Sequence, residues 1–161
     1  MKKHIMVDIE TLGTNNDSQV LSIGACEFNA AGEILKKFYT VIKMYDDVHL
    51  KATAGTLKFW ITQGLELYNL LDDEGAVSMM TALQQLGTWV DWKDARLWAN
   101  GTKFDIGMLE SLYISNFVIV PWGFNADRCM RTIREFERNS AIDVSSTIEF
   151  EGRPHHALDD A

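Results

Sequence analysis

The sequence predicts a mixed α/β domain in which a five-stranded sheet is flanked by helices. Three strand-like segments come first, and alternating helical and strand-like segments follow, an order that is typical of a mixed sheet. The chain has 161 residues, close to the usual size of one domain, and 47% of them are hydrophobic, which is enough for a buried core. We therefore expect a single domain over residues 1–161. Only two cysteines are present, so no disulfide framework is expected.

The N-terminal segments have the composition of paired β-strands. Residues 5–9 form a short apolar run rich in β-branched side chains, and residues 20–28 form a second apolar run. Residues 29–32 have the composition of a turn, and residues 33–42 resume as a strand. The three strands are therefore expected to form an antiparallel meander, followed by irregular structure over residues 43–54.

From residue 55 onward the spacing of apolar residues changes to that of helices. The clearest amphipathic pattern covers residues 76–92. The expected elements, in chain order, are a helix from residue 55, a short helix near 65–71, a helix over 76–92, a strand over 95–99, a helix over 102–113, a strand over 117–120 that Pro121 ends, a helix over 125–138, a loop over 139–154 and a last helix that starts near His155.

The chain is acidic, with 15 basic against 23 acidic residues and a net charge of −8. This balance excludes a protein that binds a polyanion through a net positive charge of the whole chain. A nucleic-acid partner would have to be held locally, by a few arginines or by bound metal ions. No apolar run approaches the roughly 20 residues of a membrane span. The N-terminal apolar stretch ends at Asp8, too early for a signal peptide, so we expect a cytoplasmic protein.

Three acidic residues stand out by their position in the expected elements. Asp8 and Glu10 are two residues apart on the first strand, so both side chains leave the same face. Adjacent carboxylates near a core repel each other unless a cation or a proton joins them. Asp105 lies in the first turn of an expected helix, where it could instead act as a cap. Alternatively, Asp8 and Glu10 lie at an exposed end of the strand, where both carboxylates are solvated.

The end of the chain carries a second group of polar residues, with two candidate histidines. His156 and Asp160 are four residues apart and would share a helix face. His155 and Asp160 are five apart and would face each other only if His155 precedes the helix. The spacing alone does not choose between the two histidines.

Three motifs, in this order, resemble the DEDDh family of 3′→5′ exonucleases, which includes ribonuclease T, oligoribonuclease and proofreading subunits of DNA polymerases. Residues 8–13 (DIETLG) are similar to the motif D-x-E-T-x-G. Residues 100–105 (NGTKFD) are similar to a motif with an Asn before an aromatic-Asp pair. Residues 155–161 (HHALDDA) are similar to H-x-A-x-x-D-A. Here the alanines align only with His155 as the histidine and Asp160 as the last carboxylate.

Shorter matches resemble a subgroup of phage and bacterial exonucleases. They are residues 60–63 (WITQ), 98–101 (WANG) and 128–132 (RCMRT). The subgroup usually has an Asp where this chain has Cys129. The resemblance implies a ribonuclease H-like fold and a hydrolase that shortens single-stranded nucleic acid from its 3′ end. RNA is slightly favoured over DNA through the bacterial exoribonucleases of the subgroup, and a homodimer is possible because many relatives dimerise.

The resemblance also implies a metal-dependent mechanism. Asp8, Glu10, Asp105 and Asp160 would bind two divalent cations, Mg²⁺ or Mn²⁺, which prefer oxygen ligands. His155 would act as the general base, a role that histidine often has. The products would be 5′-mononucleotides.

Substrate contacts are expected from the motifs and from aromatic and basic residues. Thr11 and Leu12 of the first motif would touch the terminal nucleotide, and Phe59, Trp60 or Phe104 could stack on bases, with ordinary core packing as the alternative. Arginines at 128, 131, 134 and 138 would share one face of a helix, as a phosphate track or as a solvated face. The complete set of expected contacts is Thr11, Leu12, Trp60, Asn100, Phe104, Arg128 and Arg131.

Two other functions stay open at this point. The first is a catalytically weak nucleic-acid-binding module on the same fold, because few residues follow Asp160 and short helices are marginal without packing. The second is a phosphodiesterase that acts on dinucleotides and ignores longer strands.

Overall fold

The computed structural model describes residues 3–45, 51–139 and 149–161. Five strands form one mixed sheet in the order β3-β2-β1-β4-β5. They are β1 (His4–Thr11), β2 (Val20–Phe28), β3 (Ile34–Val41), β4 (Arg96–Ala99) and β5 (Asp127–Cys129). The first three strands pair antiparallel, whereas β4 pairs parallel with β1, and β5 pairs parallel with β4. The predicted mixed five-stranded sheet and its N-terminal meander are confirmed.

Six described helices cover the sheet. They are α1 (Ala54–Thr62), α2 (Glu66–Leu71), α3 (Met79–Trp89), α4 (Asp105–Ser115), α5 (Met130–Arg138) and α6 (Ala157–Asp160). The hydroxyls of Thr53 and Ser78 cap α1 and α3, and each accepts a hydrogen bond from the N–H three residues later. None of the helices in the described residues is long and apolar enough to cross a membrane.

The position of the fifth strand was predicted wrongly. Residues 117–120 form no strand: Phe117 has a φ of 56°, outside the range of β-structure, and its side chain is 98% exposed. The fifth strand is Asp127–Cys129 instead, which pairs with Leu97, Trp98 and Ala99 of β4. Backbone hydrogen bonding to a neighbouring strand defines this element, and its polar sequence carries no strand signal. Helix α5 consequently begins at Met130 rather than at residue 125.

The main core lies between one face of the sheet and helices α3 and α4. Ile5, Val7 and Ile9 of β1 point into it, together with Leu86 and Leu109 of the helices. Because side chains alternate along a strand, the even-numbered residues of β1 point to the opposite face. That face is covered in part by the short helix α6, and it is where the acidic residues lie.

Candidate active site

The first strand places Asp8 and Glu10 side by side on the face opposite the main core. In the antiparallel pairing with β2, Asp8 lies opposite Gly24 and Glu10 lies opposite Ser22. Glu10 is 8% exposed, so its carboxyl group is largely removed from water. The strand thus forces two carboxylates into one partly dry location, as the spacing of the motif predicts.

Gly24 brings the last helix onto this face. A Cβ atom at Gly24 would lie 2.1 Å from the carbonyl carbon of Ala157 and 2.2 Å from the backbone nitrogen of Leu158. Only glycine therefore allows the backbone of α6 to rest directly on β2. This contact places Asp160 beside Asp8, whose pKa the Asp160 charge helps to raise. Sequence analysis missed Gly24, although a glycine inside an apolar strand is a known sign of close backbone approach.

His155, and not His156, faces the carboxylates. One side-chain ligand atom each from Glu10, His155 and Asp160 lie within 4.8 Å of one another. His155 adopts a φ of 62°, and its backbone N–H donates a hydrogen bond of 2.9 Å to Oδ2 of Asp160. The ring of His156 instead stacks on Tyr39 at 4.4 Å between centroids. His155 precedes the helix, which is the condition under which it can face Asp160.

Asp105 completes a group of four carboxylates from β1, α4 and α6. Burial, together with the charges of Asp105, Glu10 and Asp160, raises the pKa of Asp8 to about 9. Burial followed by the Asp160 and Asp105 charges raises the pKa of Glu10 to about 8. Burial also raises the pKa of Asp105 to about 6, although backbone N–H groups and the charge of Arg131 act in the opposite direction.

The chemistry of this cluster fits divalent cations. The pKa of Asp160 is raised as well, mainly by burial, so all four carboxyl groups resist ionisation together. Either protons or cations can relieve that repulsion. Carboxylate oxygens are the ligands that Mg²⁺ and Mn²⁺ prefer, and histidine can add a nitrogen ligand or exchange a proton.

The contacts of Thr11, Leu12 and Trp60 with substrate stay a prediction, and all three residues are buried. Leu12 and Trp60 are 4% and 1% exposed and pack in a small core cluster with Leu21. The indole N–H of Trp60 donates a hydrogen bond of 2.8 Å to the backbone oxygen of Thr11, and the Thr11 hydroxyl donates to the oxygen of Gly13. The Trp60 indole is therefore buried against the first motif, while Thr11 and Trp60 also line the cavity beside Glu10 and His155.

A cavity of about 320 Å³ opens beside Glu10 and His155. Phe59 and Phe104 line it, and both rings are partly exposed. The ring of Phe59 meets that of His155 edge-on, with 4.8 Å between centroids. We refer to this space as the first cavity. Its aromatic walls next to the carboxylates suit a nucleoside.

The arginines at 128, 131, 134 and 138 do not share one face of a helix, because the first of them belongs to a strand. Arg128 lies in β5, and its guanidinium donates hydrogen bonds to the backbone oxygens of Asn125 and Asp127 at 3.0 and 2.6 Å. Local carbonyl groups accept hydrogen bonds from only one guanidinium nitrogen, Nη1, so the phosphate contact of Arg128 stays a prediction. Arg138, at the other end of α5, lies 3.7 Å from Glu135.

Arg131 and Asn100 lie closer to the acidic cluster. Arg131 is in the first turn of α5, and its guanidinium packs over Gly101, directly after Asn100. The charge of Arg131 lowers the pKa of Asp105, which shows that it faces the carboxylates. Asn100 is exposed, and its Oδ1 accepts a hydrogen bond of 3.4 Å from Arg134.

Four carboxylates and a histidine thus meet on one face of a mixed five-stranded sheet, with a cavity beside them. A family model described as the 3′-5′ exoribonuclease Rv2179c-like domain matches residues 3–161, and the chain belongs to this family. No match is found among curated proteins. The resemblance to DEDDh exonucleases is confirmed.

Solved structures of exonucleases share the fold. E. coli exonuclease I in complex with a dT13 oligonucleotide matches with a TM-score of 0.73 and 13% identity, over 99% of this chain and 39% of that one. The nuclease domain of 3′hExo, a DEDDh family member bound to rAMP, matches with a TM-score of 0.63 and 13% identity, over 99% of this chain and 86% of that one. The chain thus spans well under half the length of exonuclease I, and the ribonuclease H-like fold is confirmed.

Proposed function

We propose that this protein is a metal-dependent 3′→5′ exonuclease that hydrolyses single-stranded RNA to 5′-mononucleotides. The observation that carries the proposal is the convergence of Asp8, Glu10, Asp105 and Asp160 from three distant parts of the chain, with His155 beside them. Packing four carboxylates together, two of them buried and two half-buried, is costly unless cations bind there. A catalytic role for such cations explains why the fold keeps four carboxylates together despite their electrostatic repulsion.

The four carboxylates would hold two divalent cations, which would supply positive charge to compensate the phosphate and to activate water. The first cavity receives the 3′-terminal nucleoside, whose base stacks on Phe59 or Phe104. This arrangement directs the phosphate on the 5′ side of that nucleoside toward Glu10 and Asp160. It also explains how a chain with a net charge of −8 can bind a polyanion.

His155 accepts a proton from the attacking water at its imidazole ring. The water oxygen forms a bond to phosphorus, and the bond from phosphorus to the 3′-oxygen of the preceding nucleotide breaks. The products are a 5′-mononucleotide and a shortened strand with a free 3′-hydroxyl. The hydrogen bond from the His155 backbone N–H to Asp160 fixes the position of the imidazole relative to the carboxylates.

Two findings bear on the choice between RNA and DNA. The family model is described as an exoribonuclease, which favours RNA. The structural relative exonuclease I is bound to a DNA oligonucleotide, so DNA is the alternative substrate. We assign RNA as the preferred substrate because the family match covers residues 3–161, whereas the DNA-bound relative is only 13% identical.

The test compares 5′-labelled RNA and DNA oligonucleotides of the same sequence, single- and double-stranded, with Mg²⁺, with Mn²⁺ and with EDTA. We expect a ladder that shortens from the 3′ end of single-stranded RNA only when a divalent cation is present. Asp8→Asn should abolish the ladder. The matched control is Asp17→Asn, which removes an exposed carboxylate that pairs with Lys51 away from the cluster. Binding of oligonucleotide without any shortening would favour the catalytically weak binding module instead.

Self-association into a homodimer is part of this proposal. Ile114, Phe117 and Ile119 are 68%, 98% and 89% exposed, and Phe117 and Ile119 line a groove next to helix α3. Exposed apolar groups of this size commonly mark protein contacts. Light scattering after gel filtration should give twice the mass of one chain, and Phe117→Asp should reduce it to the mass of a monomer.

A further inference from the structure

His155 lies at the end of a tight turn, residues 152–155, that leads into helix α6. Its φ of 62° is in the left-handed region, which residues other than glycine rarely adopt unless the surrounding contacts hold them there. On one side, the backbone N–H of His155 donates a hydrogen bond to Asp160. The contacts of the rest of the turn therefore help to decide where the imidazole lies.

Asp159 of helix α6 accepts hydrogen bonds from this turn. Its Oδ2 accepts one of 3.0 Å from the backbone N–H of Arg153 and one of 3.2 Å from Nε of the same residue. Its Oδ1 lies 3.5 Å from Nδ1 of His156. The backbone N–H of His156 also donates to the oxygen of Arg153, at 3.2 Å. One carboxylate thus contacts residues on both sides of His155 and connects them to the last helix.

Gly152 allows the turn to approach Asp159 closely. Gly152 has a φ of 124°, and a Cβ atom there would lie 2.7 Å from Cβ and 3.0 Å from Cγ of Asp159. A larger residue at 152 would therefore displace either the turn or the Asp159 side chain. The side chain of Asp159 is 25% exposed, so most of it is covered. This close packing makes the position of the turn depend on the side chain at 159.

The imidazole of His155 extends from the turn toward the carboxylates. One of its ring nitrogens lies within 4.8 Å of a carboxylate oxygen of Glu10 and of Asp160. A general base must be within hydrogen-bond reach of the water whose proton it accepts. Because a misplacement of about 1 Å can cost about 100-fold in rate, the contacts that set the position of the turn also bear on the rate.

We propose that Asp159 is a positioning residue, which holds His155 beside the carboxylate cluster through its contacts with Arg153 and Gly152. The inference rests on the proposed exonuclease function, in which His155 accepts the proton from water. It gives the two adjacent acidic residues of α6 different roles, because Asp160 belongs to the cluster and Asp159 acts on the turn. The Asp159 carboxylate should therefore affect the rate only when His155 is present.

The kinetic test is a double-mutant cycle on single-stranded RNA with Mg²⁺. Asp159→Ala should lower kcat by about 10- to 100-fold, with little change in KM. In the His155→Ala protein the same substitution should change kcat by less than about threefold, because no imidazole is left to position. A role in stability alone would instead lower kcat by the same factor in both backgrounds.

Two further variants separate the positioning role from the loss of a charge. Asp159→Asn keeps an oxygen that can accept the Arg153 N–H, and it should recover most of the activity that alanine loses. The matched control is Asp91→Ala. Asp91 likewise accepts a backbone N–H, from Lys93 at 3.1 Å, and pairs with a basic side chain, Lys3 at 3.2 Å, in another turn. This variant should have the kcat of wild type.

A measurement that needs no turnover follows the ring of His155 by NMR. In the wild-type protein, the rings of His155 and Phe59 should give a nuclear Overhauser effect, because their centroids are 4.8 Å apart. Asp159→Ala should weaken this signal. The signal between Trp92 and Trp122, whose centroids are 5.2 Å apart in the main core, should persist and show that the fold is intact.

The outcomes distinguish this inference from the proposed function. Equal losses of kcat with and without His155, or an unchanged signal between His155 and Phe59 in Asp159→Ala, would overturn the inference. If Asp159→Ala does not fold, Gly152→Ala displaces the turn from the same carboxylate and carries the same two expectations. If the wild-type protein shortens no oligonucleotide, the exonuclease proposal fails, while the NMR comparison still tests whether Asp159 positions the ring.

Discussion

The replacement of Gly24 by alanine tests how the last helix is positioned. The new methyl group would lie 2.1 Å from the carbonyl carbon of Ala157, whereas carbon atoms in contact are usually about 3.5–4.0 Å apart. Helix α6 must therefore move away from β2 by about 1.5 Å. This helix carries Asp160, and His155 lies two residues before its first residue. Since a misplacement of about 1 Å can cost about 100-fold in rate, we expect kcat to fall by at least that factor.

The assay compares Gly24→Ala with wild type in two measurements. The rate of oligonucleotide shortening should fall as stated, and the rise in Tm on addition of Mg²⁺ should shrink because Asp160 has moved. Overpacking costs about 1–3 kcal/mol, so the variant should still unfold cooperatively. The matched control is Gly87→Ala in α3, where the nearest atom to a new Cβ is 3.7 Å away. Wild-type rate and metal response in Gly24→Ala would refute the reasoning.

Three further predictions concern individual groups of the site. His155→Ala should lower kcat by about 10²- to 10⁴-fold and preserve the Tm rise with Mg²⁺, while a larger effect of His156→Ala would contradict the assignment of the base. The ordinary pKa values of Asp8 and Glu10 are 3.8 and 4.5, and folding raises them to about 9 and about 8, so without metal the folded state holds protons that the unfolded chain releases. The contribution of these two groups to the free energy of unfolding in EDTA should therefore be largest below pH 4. It should be lost as the pH rises through 8 to 9. At pH 8.5, Mg²⁺ at 100 times its dissociation constant should add about 2.7 kcal/mol. The same Mg²⁺ concentration should raise Tm less at pH 6, where protons compete for the carboxylates, and a rise independent of pH would exclude them as ligands. Trp60→Phe should lower stability by about 1–3 kcal/mol in urea titrations because a buried carbonyl of the first motif loses its donor, and an unchanged midpoint would show that this hydrogen bond is not needed.

Several elements could be predicted because their signals are local. The short apolar run over residues 5–9 predicted the strand, and the two-residue spacing of Asp8 and Glu10 predicted that both lie on one face, since strand geometry has a period of two. The helical spacing over 76–92 likewise located α3, although the helix is shorter at both ends. These patterns depend only on neighbours within a few residues.

Other features depend on contacts that no local pattern contains. Strand β5 forms because its backbone pairs with the edge of β4, although its residues are polar. Arg128 therefore lies in this strand and not in helix α5. The sequence does not show whether the ring of Trp60 stacks on a base or packs in a core. Only the position of α1 against the first motif buries it. Sequence patterns do not show which of two alternatives tertiary packing selects.

The sequence by itself determined the mixed sheet, the acidic pair on one face of β1 and, through the resemblance of three motifs, the class of enzyme. The motif alignment selected His155 as the histidine beside Asp160, and the structure agrees with it. Only the tertiary structure decided that α6 rests on Gly24 and that the Arg131 guanidinium packs over Gly101. The physical reason is the range of the interactions. Strand alternation and helix periodicity act between near neighbours, whereas the site forms where segments far apart in the chain pack closely enough for backbone to touch backbone.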